Sequence, residues 1–178
     1  MAGGIIIKQK IIWNNFVNGY LSDADWMDRN VNDSHTTFEN GVATTKFLNE
    51  EPAAISYRTM MQKTTPKVKT DHIYFATCEV NPSRNITSGV EWAGGYQDAQ
   101  FVNAEVWTRM SFRRYGRRNE NGYLYVPFVH GTSNPGLIVK TRNVLYIDLT
   151  QMYGSGNEPS IEEFEAQCVL NGIDLSSP

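Results

Sequence analysis

Short stretches of alternating or continuous apolar residues recur along the middle of the chain, separated by clusters of Gly, Asn, Pro and Ser. This pattern is typical of an all-β sandwich or barrel. It predicts about eight strands, at residues 5–13, 42–47, 55–61, 72–80, 105–114, 123–129, 137–140 and 143–149. Because eight antiparallel strands in a chain of this length fit two stacked sheets, we predict a jelly roll.

The segment 72–80 is predicted to be a central strand. Side chains alternate between the two faces of a strand, and here both faces carry apolar residues. Ile73 and Phe75 lie on one face, and Tyr74 and Cys78 lie on the other. A strand with two apolar faces is expected to be covered on both sides.

The C-terminal segment changes from a strand pattern to a helix pattern. Ser160 and Glu163 stand at capping-box spacing, and Phe164 and Cys168 fall on one helical stripe. Gly172 is expected to end the helix at positive φ. The predicted fold class is therefore all-β, an antiparallel β-sandwich with one short C-terminal helix.

The length of 178 residues suits one domain with a short appendage. We divide it into an N-terminal leader or docking arm (1–35), the jelly-roll sandwich (36–150) and a double turn with the C-terminal helix packed on the sandwich (151–178). The leader carries more apolar surface than a free arm should expose. We expect it to add a strand to the sandwich or to a neighbouring subunit. The docking residues are predicted to be Ile5, Ile6, Ile7, Ile11, Ile12 and Trp13.

Composition and charge narrow the range of partners. Hydrophobic residues make up 40% of the chain and charged residues 20%, which predicts a folded protein. The net charge of -3 argues against a nucleic-acid partner, so any anion site must be local. Since no apolar run approaches about 18 residues, no membrane span is predicted. Three apolar residues before Lys8 are too few for a signal peptide, so we expect synthesis and retention in a cytoplasm.

Sequence motifs for chemistry are absent. The chain contains no P-loop, dinucleotide-binding, zinc-protease or nucleophile-elbow signature. His35, His72 and His130 have no second ligand at metal-binding spacing, and the two cysteines, Cys78 and Cys168, form no C-x-x-C pair. We read both cysteines as free, buried thiols. We therefore predict no catalytic residue, no metal site and no cofactor.

Five arginines fall within the ten residues 109–118. If Met110 and Phe112 face the core, one outer face carries Trp107, Arg109, Ser111, Arg113 and Tyr115. Arginine suits bidentate contact with phosphate or carboxylate, so this face could grip an anionic glycan, a teichoic-acid-like polymer or an acidic patch on a partner. The alternative is a solvated hairpin whose charges protect an edge strand from aggregation.

A second candidate site is the loop around residues 93–95. Trp92 and Tyr96 flank Ala93 and two glycines, and could present an aromatic platform for sugar stacking. Aromatic residues are also what sandwiches bury, so a core role remains open. Taken together, the predicted glycan- or anion-binding residues are Trp92, Tyr96, Trp107, Arg109, Arg113 and Tyr115.

The segment 146–164 reads YIDLTQMYGSGNEPSIEEF. Thr150 can cap a single turn, the glycines supply positive φ, and Pro159 leads into the next helix. This rigid double turn is expected to fold the C-terminus back on the last strand. We call it the C-terminal latch, with key residues Gly154, Gly156, Asn157, Glu158, Pro159, Ser160, Glu163 and Phe164.

The same string resembles one found in bacteriophage tail and minor structural proteins. In that family it closes a jelly-roll module similar to carbohydrate-binding modules. Segments 40–45, 71–76 and 106–111 are similar to the usual strand openings, so the resemblance spans residues 38–164. Many relatives are far longer chains, which implies a small decorating or linking subunit here.

The resemblance implies a non-enzymatic virion component, made in the host bacterial cytoplasm. It would be a fibre or decoration subunit on the capsid, neck or tail, with adhesion to a host-surface glycan. Its partners would be other virion proteins and copies of itself. Two alternatives stay open: a carbohydrate-binding module of a cellular enzyme or transport system, and a polysaccharide depolymerase.

Overall fold

Two antiparallel sheets form the body of the protein. The structure is a computed structural model that describes residues 27–28, 34–48, 57–119, 122–130 and 135–173. In these residues the strands are β1 (Met27–Asp28), β2 (Ser34–Glu39), β3 (Val42–Phe47), β4 (Tyr57–Thr65), β5 (Ile73–Pro82), β6 (Ile86–Trp92), β7 (Tyr96–Val102), β8 (Thr108–Tyr115), β9 (Gly122–His130) and β10 (Ile138–Asp148). The helices are α1 (Leu149–Tyr153) and α2 (Ile161–Leu170).

Each sheet has five strands among the described residues. Sheet I has the order β1-β4-β9-β6-β7, and sheet II has the order β2-β3-β10-β5-β8. The main core lies between them and includes Trp92, Tyr74, Tyr146, Met110 and Leu124. Burial of these large side chains is the dominant favourable contribution to folding. The predicted all-β, antiparallel jelly-roll sandwich is confirmed.

A second apolar cluster covers the outer face of sheet II. Ile73 and Phe75 of β5 contact Phe164 and Cys168 of α2, together with Leu149 of α1. The two apolar faces predicted for segment 72–80 are therefore both used, one between the sheets and one under the helices. The helices cover the part of sheet II formed by β5 and β10.

Several predicted elements need correction. The strands β2, β6 and β7 were missed, because β6 contains Gly89 and the β7 sequence YQDAQFV is largely polar. The predicted strands 137–140 and 143–149 are one strand, β10, with an irregularity between Arg142 and Leu145. Two helices are present among the described residues instead of one. Asp148, not Thr150, caps α1 by accepting the Gln151 backbone N–H at 2.8 Å.

The predicted leader lies largely outside the described residues. This applies to the strand at 5–13 and to all six docking residues, Ile5, Ile6, Ile7, Ile11, Ile12 and Trp13. Its last part belongs to the sandwich, since Met27–Asp28 pairs with β4. The boundary at residue 35 also falls inside β2, which pairs with β3 in sheet II.

The C-terminal latch has the predicted local geometry. Gly154 and Gly156 have φ values of 90° and 84°. The Ser160 side chain accepts the Glu163 backbone N–H, and the Glu163 carboxylate accepts the Ser160 N–H, which completes the capping box. Gly172 ends α2 at a φ of 66°. The chain is thereby turned back onto sheet II.

Both cysteines are free and buried, as predicted. Burial raises the pKa of Cys78 and of Cys168 to about 12, because the thiolate form loses its hydration inside the protein. Neither thiol is therefore primed for nucleophilic chemistry at neutral pH. Among the described helices, none combines the length and apolar character needed to cross a membrane.

Candidate functional site

An open groove of about 390 Å³ lies on the outer side of sheet I, where the β6–β7 hairpin meets β9. Its lining combines three aromatic side chains, two glycines and two charged side chains. The lining residues are Glu91, Trp92, Gly94, Gly95, Arg118, Tyr123 and Tyr125.

Strand alternation in β9 places the two tyrosines in the groove. Leu124 and Val126 are fully buried and face the core, so Tyr123 and Tyr125 point to the opposite side of the sheet. Their ring centroids are 5.9 Å apart and the ring planes are inclined by only 16°. The two half-buried rings thus form a nearly parallel aromatic surface.

The β6–β7 turn forms one rim of the groove. Ala93, Gly94 and Gly95 all have positive φ, at 49°, 85° and 99°. A Cβ on Gly94 would lie only 3.1 Å from the Arg118 backbone nitrogen, so this turn needs glycine for its close approach to the chain after β8. The arginine tract is brought to the groove by this approach.

Two arginines hold that turn. The Arg117 backbone N–H donates to the Ala93 carbonyl at 2.9 Å, and Arg117 Nη1 donates to the Gly95 carbonyl at 2.7 Å. Arg118 Nε donates to the Gly94 carbonyl at 3.0 Å. The rim is therefore fixed by hydrogen bonds while it carries positive charge into the groove.

A polar side completes the groove. Glu91 of β6 is the cross-strand partner of Tyr125 on one side and of Gln97 on the other. Gln97 Nε2 donates to the Glu91 carboxylate at 3.3 Å. Aromatic faces beside fixed hydrogen-bonding groups are typical of sites that orient a small polar ligand. The groove can stack a flat apolar face and bind hydroxyl groups along its edge.

Trp92, predicted as an exposed platform, belongs to the core. It borders the groove, but its side chain is 0% exposed and its ring packs edge-on against Tyr146 with centroids 5.7 Å apart. Its indole Nε1 donates to Asp98 Oδ2 at 2.8 Å. The platform interpretation of Trp92 was wrong. Trp92 is the last residue of β6 and one of the side chains that this strand directs into the core, so it does not lie in the loop.

Tyr96 is half-buried beneath two guanidinium groups. The Cζ atoms of Arg114 and Arg117 lie 5.5 Å and 5.7 Å from its ring centroid. Arg114 also forms a two-point ion pair with Asp98, with its shortest contact at 2.7 Å. Such cation–π contacts cover the ring, so sugar stacking on Tyr96 gains no support from this geometry.

The predicted outer face of β8 exists, and the C-terminal latch covers its middle part at Ser111 and Arg113. Met110 is buried and Phe112 packs against the core, as expected. On the other side, Arg113 Nε donates to the Pro159 carbonyl at 2.9 Å. Ser111 Oγ donates to Glu165 of α2. This contact surface joins sheet II to the helix, and the structure gives Arg113 a positioning role there.

Arg109 and Trp107 belong to a neighbouring ion-pair cluster. The buried Glu79 carboxylate accepts from Arg142 Nε at 2.7 Å and from Arg109 Nη2 at 3.5 Å. The Arg142 guanidinium lies 4.0 Å from the Trp107 ring centroid. Tyr115 remains 59% exposed at the end of β8. The six predicted binding residues are thus not brought together into one site.

Four groove residues were missed from the sequence: Glu91, Arg118, Tyr123 and Tyr125. The Tyr-x-Tyr alternation in β9 was a usable signal, since it places two rings on one face. Arg118 belonged to the arginine tract noted above but was not among the predicted site residues, and Glu91 had no such signal; the approach of both depends on the β6–β7 hairpin. That hairpin was not predicted.

A separate polar cluster lies at the start of α1. His72 Nδ1 lies 2.6 Å from Asp148 Oδ2, and the Tyr74 hydroxyl accepts the Lys69 backbone N–H at 3.0 Å. Burial raises the pKa of Tyr74 to about 12. Across the described part of the chain, no group of three or more His, Cys, Asp and Glu residues is arranged to hold a metal ion. Asp148 of this cluster also caps α1.

Comparisons with known proteins bear on the fold. No family model and no curated protein sequence matches the chain. The second N-terminal cellulose-binding domain of Cellulomonas fimi β-1,4-glucanase C aligns with a TM-score of 0.53, at 9% identity over 75% of this chain and 94% of that domain. The first such domain of the same enzyme aligns with a TM-score of 0.51, at 7% identity over 74% and 93%.

A domain of bacteriophage CBA120 tailspike protein 4 aligns with a TM-score of 0.45, at 12% identity over 76% of this chain and 22% of that one. This likeness is too low to support the predicted relation to tail proteins, which stays a prediction. The two likenesses above 0.5 agree with the two-sheet topology described here. The chain has the jelly-roll fold found in carbohydrate-binding modules.

Proposed function

We propose that this protein is a carbohydrate-binding module that holds a short run of sugar residues in the sheet I groove. The observation that carries the proposal is the nearly parallel pair of rings, Tyr123 and Tyr125, 5.9 Å apart. A pyranose ring has an apolar C–H face that packs on an aromatic ring, and its hydroxyl groups can reach hydrogen-bonding groups at the edge. Both kinds of contact are present in the groove.

Burial of the opposite sheet face supports the choice of this surface. The latch and α2 cover the outer face of sheet II over β5, β8 and β10, and the arginines there bind the Pro159 carbonyl and the Glu79 carboxylate. The sheet I groove retains half-buried rings and an open side. Within the described part of the chain, a ligand can therefore approach Tyr123 and Tyr125 through this open side.

The proposal assigns binding without catalysis. A glycoside hydrolase commonly needs two carboxyl groups that face each other across the substrate, about 5–9.5 Å apart. Among the described residues that line the groove, Glu91 alone carries a carboxylate, so the second carboxyl group is missing from this lining. A depolymerase is consequently the less supported alternative.

Replacing Tyr125 with alanine is expected to weaken sugar binding about tenfold, because it removes a contact worth about 1.4 kcal/mol. Tyr123→Ala should give a similar loss. A glycan array identifies the tightest ligand, with cellohexaose and xylohexaose included, and calorimetry then measures the affinity of each variant. The control is Tyr115→Ala, which removes an exposed tyrosine from sheet II and should leave the affinity unchanged.

Two results would count against this site. The proposed function is wrong if the wild-type protein binds every glycan on the array no more tightly than the Tyr125→Ala variant does. Loss of binding in Tyr115→Ala with no loss in Tyr125→Ala would move the site to the face of β8 first predicted from the sequence.

We also propose that the module is carried on a bacteriophage particle, on the strength of the resemblance of residues 146–164 to phage tail and minor structural proteins. Multiple copies would convert weak single contacts into useful adhesion, because linked sites raise the effective ligand concentration. Deleting residues 1–13 should lower the occupancy of the protein in particles, measured by quantitative mass spectrometry. Normal occupancy would contradict docking by the leader, and absence of the full-length protein from particles would contradict the virion role.

A further inference from the structure

Two guanidinium groups converge on the rim of the groove. At Gly95, the position that a Cβ would occupy lies 3.0 Å from Arg118 Nη2 and 3.9 Å from Arg117 Nη1. Gly95 itself lines the groove. Two positive charges are therefore directed at one point beside the tyrosine pair.

The other arginines of the 109–118 tract differ in their partners. Arg114 pairs with Asp98, Arg109 pairs with Glu79, and Arg113 binds backbone carbonyls of the latch. Arg117 instead contacts the Gly95 carbonyl and the Tyr96 ring, and among the described residues it has no carboxylate partner. A guanidinium carries five N–H donors, so the single bond to Gly95 leaves Arg117 able to bind an anion.

Because the protein as a whole is negatively charged, the positive charge at the groove rim is a local feature. The net charge is -3, so a negatively charged polymer has no overall attraction to the protein and needs a local cluster of positive charge. Lys67 and Lys69 add positive charge in the adjoining loop, whose Lys69 carbonyl is packed against Gly116. Asp71 lies in the same loop and reduces the local excess. At the groove rim, Arg117 and Arg118 of the tract lie beside a cavity large enough for a ligand.

Resting on the proposed function, we propose that the bound sugar chain is acidic. Its carboxylate or phosphate group would bind Arg117 and Arg118, and its sugar rings or polyol backbone would pack on Tyr123 and Tyr125. Arginine matches both anions with paired N–H donors. Glu91 lies on the β6 side of the groove, bonded to Gln97, and disfavours a second anion there. The groove therefore has a polarity that orients the ligand.

The matched probes are hexagalacturonate and its fully methyl-esterified form, which differ in charge and share the same ring. A ribitol phosphate hexamer tests the phosphate alternative. The wild-type protein should bind at least one acidic probe about tenfold more tightly than the neutral ester in calorimetry at low salt. Because surface charges are screened at high ionic strength, about 1 M NaCl should remove this difference.

Arg117→Gln should weaken binding of the acidic probe about five- to tenfold more than it weakens binding of the ester, because both probes lose the rim contact of Arg117 with Gly95 and the acidic probe alone also loses a charge partner. Arg117→Lys should retain most of the preference, since it keeps the charge. The control is Arg84→Gln, which removes the same charge from the β5–β6 turn, where Arg84 Nη2 donates to the Pro135 carbonyl. Thermal unfolding of each variant confirms that the fold is kept.

The outcomes separate the two proposals. If the ester or another neutral glycan binds as tightly as both acidic probes, the acidic preference is wrong and the carbohydrate-binding function stands. If Arg84→Gln weakens acidic binding as much as Arg117→Gln, the effect is general charge and the assigned rim is wrong. If neither these probes nor any array glycan binds, the proposed function itself fails.

Discussion

Replacing Trp92 with alanine is expected to lower the free energy of unfolding by about 3–5 kcal/mol, the usual cost of truncating a large buried aromatic residue. The Trp92 side chain is fully enclosed between the sheets and packs edge-on against Tyr146. Its removal leaves a cavity and withdraws the indole N–H from Asp98. Urea unfolding, followed by circular dichroism, measures the change as a shift of the midpoint.

A matched variant separates packing from the hydrogen bond. Trp92→Phe keeps much of the apolar volume and removes the N–H donor, so we expect a loss of about 1–3 kcal/mol. Asp98 retains its ion pair with Arg114 in that variant. A loss below about 1 kcal/mol for Trp92→Ala, combined with a large loss of glycan affinity, would instead restore Trp92 as a binding platform.

Trp92 also shows why sequence patterning predicted the fold better than the site. Its neighbours, Ala93, Gly94 and Gly95, correctly indicate a turn. A tryptophan beside a turn can face either solvent or core, and only the pairing of β6 with β7 and β9 decides between them. Gly89 in β6 and the polar sequence of β7 hid these two strands from the sequence analysis. The direction of the Trp92 side chain therefore could not be predicted.

The arginine tract gives a second instance. Alternation along β8 correctly placed Arg109, Ser111 and Arg113 on one face, opposite Met110 and Phe112. What covers that face depends on Pro159, which lies 46 residues further along the chain from Arg113, and on α2, which follows Pro159. The tract therefore divides by position, with Arg113 at the latch, Arg114 at Asp98 and Arg117 at the groove.

The C-terminal latch was predictable because its signals are local. A capping box and glycines at positive φ act within a few residues, so the sequence shows them directly. Phe164 then docks against Phe75 of β5, which is far away in sequence, and against Tyr153 of the nearby α1. The latch covers β5, β8 and β10 of sheet II, whereas the candidate groove lies on sheet I.

Replacing Phe164 with alanine is expected to lower the free energy of unfolding by about 3–5 kcal/mol, because its ring is fully buried and lies 4.8 Å from Phe75 between centroids. Leu170→Ala, on the same helix at 84% exposure, should change stability by less than about 0.5 kcal/mol. Chemical unfolding compares the two variants under identical conditions.

Sugar binding by the Phe164→Ala variant shows whether Phe164 stabilises only its own side of the sandwich or also shapes the groove on the other side. Phe164 lies outside sheet II, and Tyr123 and Tyr125 lie outside sheet I, with the main core between them. Below its unfolding transition, the Phe164→Ala variant should therefore bind sugar within about twofold of wild type, since distant sites are usually energetically independent. A tenfold loss of affinity in the folded variant would show that the latch shapes the groove through the core, and that the two faces of the sandwich do not act independently.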